Sequence, residues 1–346
     1  MPTTYTACLV GCGRMGGTID DEMKNNLYYR HALPHTHAGA CKAIDRINLT
    51  GMADVVEDKV KALCARYDVP NGYLDYEEMI EKEKPQILCI ATRPVNHRDI
   101  IVFAAAHGVR AIYCDKPLCC SMAEADEILD ACTRQGMKFN YGVNRRYMPI
   151  YRKMRELVAE GAIGKLQSVT LLCCGAAQWS LTHASDMLMQ IAGEPEVEFV
   201  QGHCSCKDED FDGNRVLDPS VHMAYVRFKS GVTGHILPGT GWEFEACGTG
   251  GRLRTHNDTG ELVYRKTVEG GMSCEMPQPP FNRESGTVAA MRDLVHALDS
   301  DGETLGPLPL ACRSQEIMIG VVESHRLGGR RVPLPLENRL LYVGTK

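Results

Sequence analysis

Between residues 6 and 142, short apolar runs alternate with segments whose apolar residues recur every three or four positions. The runs at 7–10, 47–53, 86–91, 111–114 and 138–141 are rich in Val, Ile, Leu or Cys and bounded by Gly, Asp, Pro or Asn, so they read as strands. Helical periodicity fills 56–67, 76–82, 96–107 and 121–135. In the first of these Val60, Leu63, Cys64 and Tyr67 share a face; the last opens with Ser121 and, three positions on, Glu124, a capping box. Continuously apolar strands alternating with helices predict a parallel sheet covered on both faces, and right-handed crossovers make it doubly wound.

After Tyr151 the pattern changes. A helix over 151–160 leads into strand-like stretches at 167–173, 198–203, 221–229, 232–237 and 261–266, with one helix at 182–191 and two more at 288–298 and 310–327. Lys229-Ser230-Gly231 reads as a tight turn between antiparallel strands. The second half is therefore expected to be an α+β domain with an open, mostly antiparallel sheet, within a chain whose overall class is α/β.

Composition narrows the partners. A chain of 346 residues suits two domains, and a net charge of −6 argues against nucleic acid. No apolar stretch reaches the roughly 18–20 residues of a membrane span, and the N-terminus lacks the basic region of a signal peptide, so a cytoplasmic protein is expected. The sixteen cysteines show no C-x-x-C spacing. They sit in apolar runs (Cys8, Cys89, Cys114, Cys173, Cys174) or helical patterns (Cys64, Cys132) and read as small hydrophobes. Neither Cys204 with Cys206 nor His35, His37 and Cys41 has the spacing of a metal site, so no metal is expected.

The first strand runs into Gly11-Cys12-Gly13-Arg14-Met15-Gly16, a G-x-G-x-x-G pattern. Gly11 suits the tight turn, Gly13 the approach of a pyrophosphate, and Gly16 close packing of helix on strand. Asp54, after the second strand, fits the acidic residue that holds adenosine ribose hydroxyls, although it could equally cap the helix that follows. Val55 and Val56 come next, with no Arg or Ser to receive a 2′-phosphate, which favours NAD over NADP. Asp54 lies further from Gly16 than the usual spacing of about 20 residues. The excess is a polar insertion over 18–34, leaving 37–44 to supply the packed helix.

Ligands of such sheets gather beyond the carboxyl ends of the strands. Lys116, in Asp115-Lys116-Pro117, stands there and can hold a substrate oxygen and stabilise a developing alkoxide, though a surface turn would also explain it. His183 and Asp186 share a helix face; the imidazole can exchange an alcohol proton, or simply cap its helix.

With these residues in view the chain resembles the glucose-fructose oxidoreductase/inositol dehydrogenase/MocA-like (Gfo/Idh/MocA) family. The resemblance rests on Gly11–Gly16, Asp115-Lys116-Pro117 in place of the family's Glu-Lys-Pro, the segment 142–149, the turn 160–166, the His183–Asp186 helix followed by Ile191-Ala192-Gly193, and Glu323-Ser324-His325-Arg326 with Gly328-Gly329. It implies an NAD(P)-binding Rossmann domain over 1–122, with a strand and helix to about 150 at the junction. It further implies a substrate-binding and oligomerisation domain over 123–346, whose C-terminal segment packs back toward the first. Lys116, His183 and Asp186 would be catalytic. Arg14, Met15, Thr92, Pro94, His97, Asp115, Lys116 and Asn144 would join the glycines and Asp54 on the cofactor.

Lys116, Arg146, Trp179, His183 and Asp186 would meet the substrate, a sugar, glycoside or cyclitol. A homodimer or homotetramer would form through the C-terminal sheet. Many members carry an Asp four residues before the histidine, where this chain has Trp179, so an indole face is expected in the pocket. Arg283, Trp242 and His235 are further pocket candidates. Two alternatives stay open: a glycosidase or lyase working through a transient 3-keto sugar on bound NAD, and a non-catalytic nucleotide-binding regulator.

Overall fold

The computed structural model describes residues 3–27, 29–268, 271–275 and 284–345. The chain forms two compact units, Met1–Tyr147 with Arg283–Cys312, and Met148–Asn282 with Arg313–Lys346. The boundary falls after Tyr147, so the helix and strand that follow residue 122 lie in the first unit.

In the first unit that sheet contains β1 (Tyr5–Val10), β2 (Ile47–Ala53), β3 (Asn71–Tyr73), β4 (Ile87–Ile90), β5 (Ala111–Cys114) and β6 (Lys138–Tyr141), in the order β3-β2-β1-β4-β5-β6. Every pairing is parallel. All residues of β4 and β5 are buried, as continuous apolar runs require. The order reverses between β1 and β4, which opens a crevice at their carboxyl ends. The sequence pattern misses β3, since Asn-Gly-Tyr is short and polar and becomes a strand only by pairing with β2 at the sheet edge.

The helices are α1 (Asp20–Met23), α2 (His37–Lys42), α3 (Glu57–Tyr67), α4 (Tyr76–Glu83), α5 (His97–Ala106) and α6 (Met122–Gln135). Both bonds of the Ser121–Glu124 capping box form at α6, and Gly136 ends it in the left-handed region at φ 62°. The insertion is ordered locally. It follows a π-helical turn over Arg14–Thr18 and opens with α1. Asp20 then accepts hydrogen bonds from His35 N (2.6 Å) and Thr36 Oγ1 (2.7 Å). Thr36 Oγ1 accepts from Gly39 N at 3.2 Å, capping α2, which carries Ala38, Ala40 and Cys41 into the core.

The second unit holds α7 (Pro149–Ala159), β7 (Leu166–Leu172), β8 (Gly175–Ala176), α8 (Thr182–Ala192), β9 (Val197–Cys204), β10 (Arg215–Leu217), β11 (Ser220–Phe228), β12 (Thr233–Leu237), β13 (Glu243–Gly248), β14 (Gly251–His256), β15 (Glu261–Val268), β16 (Gly271–Glu275), β17 (Val332–Pro333) and β18 (Tyr342–Gly344). The large sheet runs β16-β15-β14-β13-β7-β12-β11-β9-β17, with β8 beside β11; β10 pairs separately with β18. It is mostly antiparallel, β7 with β12 being its parallel pair. Strands such as β14 alternate buried and partly exposed residues, the signature of a sheet with one packed face. The hairpin β13–β14 escapes the sequence pattern, because its apolar residues are diluted by glycines and charges.

Two helices remain, α9 (Gly286–Ser300) and α10 (Leu308–Arg326). α9 belongs with the first unit, where Asn140 Nδ2 donates to Ala290 O (2.8 Å) and Tyr147 Oη to Asp293 Oδ2 (2.9 Å).

Candidate functional site

The turn after β1 is built on glycine. Gly11 has φ +100°, and a Cβ there would sit 2.6 Å from the Ala91 carbonyl oxygen. A Cβ on Gly16 would overlap the Gly11 carbonyl, whereas one on Gly13 would meet nothing within 4 Å. The outer glycines thus serve close packing, and the middle one leaves open space over the backbone, as a docked pyrophosphate needs. Arg14 Nη2 pairs with Glu22 at 2.6 Å in solvent, tying the turn to the insertion.

Asp54 is held by two main-chain amides. Its Oδ2 accepts from Cys12 N at 2.8 Å, and its Oδ1 accepts from Val56 N at 3.0 Å. The carboxylate therefore fastens the glycine turn to the end of β2 while keeping lone pairs for hydroxyl donors. Val55 beside it is 87% exposed.

At the ends of β4 and β5, Thr92 and Lys116 are half-buried. His97 is fully buried, with Nδ1 3.1 Å from Leu118 O and Nε2 3.2 Å from Thr92 O. It braces these two turns from beneath rather than presenting its ring to solvent, and burial depresses its pKa to about 4. Pro94 is buried as well. Asp115 is nearly enclosed, and burial raises its pKa against the opposing pull of Lys116. Asp115 Oδ1 and Asn144 Oδ1 are buried acceptors with no hydrogen-bond partner among the described residues. Such orphans are the groups a bound amide or hydroxyl can satisfy. An open glycine turn, a ribose-ready carboxylate and vacant acceptors fit a dinucleotide. Arg146 is buried and donates to Leu305 O at 3.1 Å within the first unit.

The second unit carries His183 near the start of α8, whose remaining residues are almost all buried. His183 is half-buried and Asp186, one turn on, is fully buried. Trp179 is 49% exposed. The segment before α8 is held by Asp218, whose Oδ1 accepts from Gln178 N (2.8 Å) and Oδ2 from Trp179 N (2.9 Å). Thr182 Oγ1 donates to Gln178 O (2.9 Å), and Ser185 and Ser314 join hydroxyls at 2.8 Å. Asp218 carries no sequence signal, being one aspartate in a loop. The Trp242 ring stands 6.2 Å from the His183 ring at 86°. His235 instead bonds Thr233 Oγ1 (3.0 Å) and packs on Tyr225 across the strands. Arg283 lies outside the described residues.

Among the described residues no group of three or more His, Cys, Asp or Glu could hold a metal ion. No disulfide is formed among the described residues, and the buried Cys41 and Cys89 sulfurs lie 3.6 Å apart.

Residues 7–143 match the model of an oxidoreductase family with an NAD-binding Rossmann fold. A myo-inositol 2-dehydrogenase of Thermotoga maritima is 26% identical over 241 residues, 64% of this chain and 71% of that protein. A D-apiose dehydrogenase of Paraburkholderia graminis is 29% identical over 128 residues, 37% of this chain and 34% of that one. The chain thus spans about a third of the second relative's length. Among solved structures, a levoglucosan dehydrogenase in complex with NADH and levoglucosan superposes with TM-score 0.77 at 18% identity, covering 96% of this chain and all of that one (100%). An Agrobacterium radiobacter oxidoreductase in complex with NAD+, L-tartaric acid and magnesium gives 0.72 at 18%, covering 96% of this chain and 98% of that one. At such identity these structures speak for the fold.

Proposed function

We propose that this chain, whose residues 7–143 match the Gfo/Idh/MocA oxidoreductase model with its NAD-binding Rossmann fold, is an enzyme of that family and acts on a CH–OH group of a sugar, glycoside or cyclitol. The observation that carries this reading is the glycine turn at β1, open over Gly13 and fastened to Asp54. The NAD, when bound, supplies the hydride acceptor. The turn's backbone amides, with Arg14 and Met15 on its rim, hold the pyrophosphate, and Asp54 takes the adenosine ribose hydroxyls. Thr92, Pro94, Asp115 and Asn144 form the nicotinamide side, with His97 as the brace beneath. Lys116 Nζ donates to the reacting oxygen and steadies its negative charge. The His183 imidazole takes the hydroxyl proton, and Asp186 orients that ring or meets a second hydroxyl. Trp179 contributes an apolar wall, and Arg146 supports the segment before α7.

Names borne by relatives, inositol, apiose and levoglucosan dehydrogenases, support the substrate class. The second unit, with its exposed sheet face, is read as the substrate-binding and oligomerisation part of a cytoplasmic homodimer or homotetramer. No helix among the described residues is long and apolar enough to cross a membrane.

The test is a screen of polyols and sugars followed by NADH absorbance, with Lys116→Met as control. The variant should lose about 10²–10⁴-fold in kcat, the range of one electrostatic or acid–base group, while binding NAD normally. Undiminished turnover would remove Lys116 from the reaction. Tightly held NAD with glycosidic cleavage and no net NADH would favour the 3-keto route.

A further inference from the structure

We propose that Trp242 determines specificity: its indole is a platform for the apolar C–H face of a ring-form substrate, so that the enzyme favours cyclic polyols over open-chain ones. The inference rests on the dehydrogenase reading above and deepens it.

The chain has two tryptophans, and both belong to the histidine's neighbourhood. Trp179 precedes His183 by one helical turn's worth of chain. Trp242 reaches His183 through space, at 6.2 Å and 86° between rings. Neither indole is buried in the core, unlike Phe228, Phe244 and Tyr151 of the same unit. An indole left partly in solvent beside a proton-exchanging group suits an apolar surface that arrives with the ligand.

The backbone delivers Trp242 rigidly. Before it, Gly241 has φ +85°, and a Cβ on Gly239 would press on Leu172 at 2.9 Å. After it, Glu243 is paired with Arg254 at 2.5 Å, and Phe244 N donates to Thr255 Oγ1 at 2.9 Å. Phe244 and Ala246 are buried on the packed face of β13. Strand alternation continued one step back puts Trp242 on that same side. A platform so held loses little entropy on binding.

The ligand's chemistry follows. A pyranose or cyclitol chair with equatorial hydroxyls presents axial C–H groups as a flat apolar patch, with its CH–OH groups at the rim. An open-chain polyol has no such patch. The indole therefore rewards the ring and leaves the rim hydroxyls to the imidazole.

The experiment compares 1,5-anhydroglucitol and myo-inositol with sorbitol and xylitol in the wild type, Trp242→Ala and Trp242→Phe. For the cyclic substrates Trp242→Ala should lower kcat/KM about thirtyfold, chiefly through KM, as expected for loss of an aromatic contact and its buried area. Trp242→Phe should recover most of it, and the open-chain substrates should change less than about twofold. With Trp179 replaced (Trp179→Phe) so that Trp242 is the reporting indole, a saturating cyclic substrate should also shift the tryptophan fluorescence. An equal fall for cyclic and open-chain substrates, with an altered pH profile, would show that Trp242 only supports His183 and would overturn the proposal. So would turnover with no fluorescence shift, or a wild-type preference for open chains. A shift without any turnover would keep the platform and overturn the dehydrogenase reading instead.

Discussion

The two units fix a reactive side chain by different means. In the first, candidates stand where strands end, and backbone geometry places them: Gly11 and Gly16 admit no side chain, and Asp54 is tied to two main-chain amides. In the second, His183 rides on a helix that is buried on nearly every side and stitched by side chains, through Thr182, Ser185, Ser314 and Asp218. Backbone-built sites should fail abruptly when a single atom is added. Side-chain-built sites should loosen gradually.

The largest effect is expected at Gly16. The Cβ of Gly16→Ala would overlap the Gly11 carbonyl, a main-chain atom that cannot swing aside. The cost should be about 3 kcal/mol or more, seen as a lowered melting temperature together with loss of NADH binding. Gly13→Ala is the control, because its Cβ meets nothing within 4 Å. It should melt like the wild type and lose only affinity for the dinucleotide. If both variants melted normally, the contrast between the units would collapse.

What was legible in the sequence follows the same line. The glycine turn, Asp54 and Lys116 stand out because strand-end chemistry is local, and five of the six strands of the first sheet are short runs rich in apolar residues. The capping box of α6 was legible for the same reason. The β13–β14 hairpin was not, since its glycines are demanded by tertiary neighbours: a Cβ on Gly248 would overlap the Ile163 carbonyl. For Arg146, which the resemblance puts against the substrate, only the fold shows burial and a bond to Leu305 O. The enclosure of His97 between two carbonyls is likewise a matter of packing. Asp218 meets the His183 region from a distant segment, which no spacing could reveal.

Acid should separate the units next. His37 and His97 are wholly buried in the first unit, where burial lowers their pKa to about 3 and about 4. Neither ring nitrogen of His37 has a hydrogen-bond partner among the described residues, and the ring packs on Tyr113 at 4.6 Å. Unfolded histidine titrates near 6.5, so the unfolded chain binds more protons below that pH. The stability associated with these neutral rings is complete above about 6.5 and is lost as the pH falls toward 4 and then 3. At pH 5 each ring should account for about 2 kcal/mol of lost stability. His37→Phe keeps the contact with Tyr113 and should remove about that much of the difference between pH 7 and pH 5. Both tryptophans lie in the second unit. Far-ultraviolet circular dichroism should therefore change at a higher pH than tryptophan fluorescence does. Coincident transitions in the wild type, or an unchanged acid limb in His37→Phe, would refute the assignment.

The smallest effect belongs to the stitching of the second unit. Asp218 holds two adjacent main-chain amides, those of Gln178 and Trp179, one on each carboxylate oxygen. Asp218→Asn keeps the size of the side chain but leaves a single accepting oxygen, so one amide must turn to water or to a weaker partner. The loss is about 1 kcal/mol, a hydrogen bond to a charged group partly replaced, and it falls on the segment that carries Trp179 into the first turn of α8. Because that segment bears an indole and not a backbone clamp, the result should be a roughly fivefold lower kcat/KM with an unmoved NADH affinity and a melting temperature within about 2 °C. Parallel losses of substrate turnover and NADH binding would mean that the units are not held by separate devices. A fall as steep as that at Gly16 would mean that the second site, too, is built on its backbone.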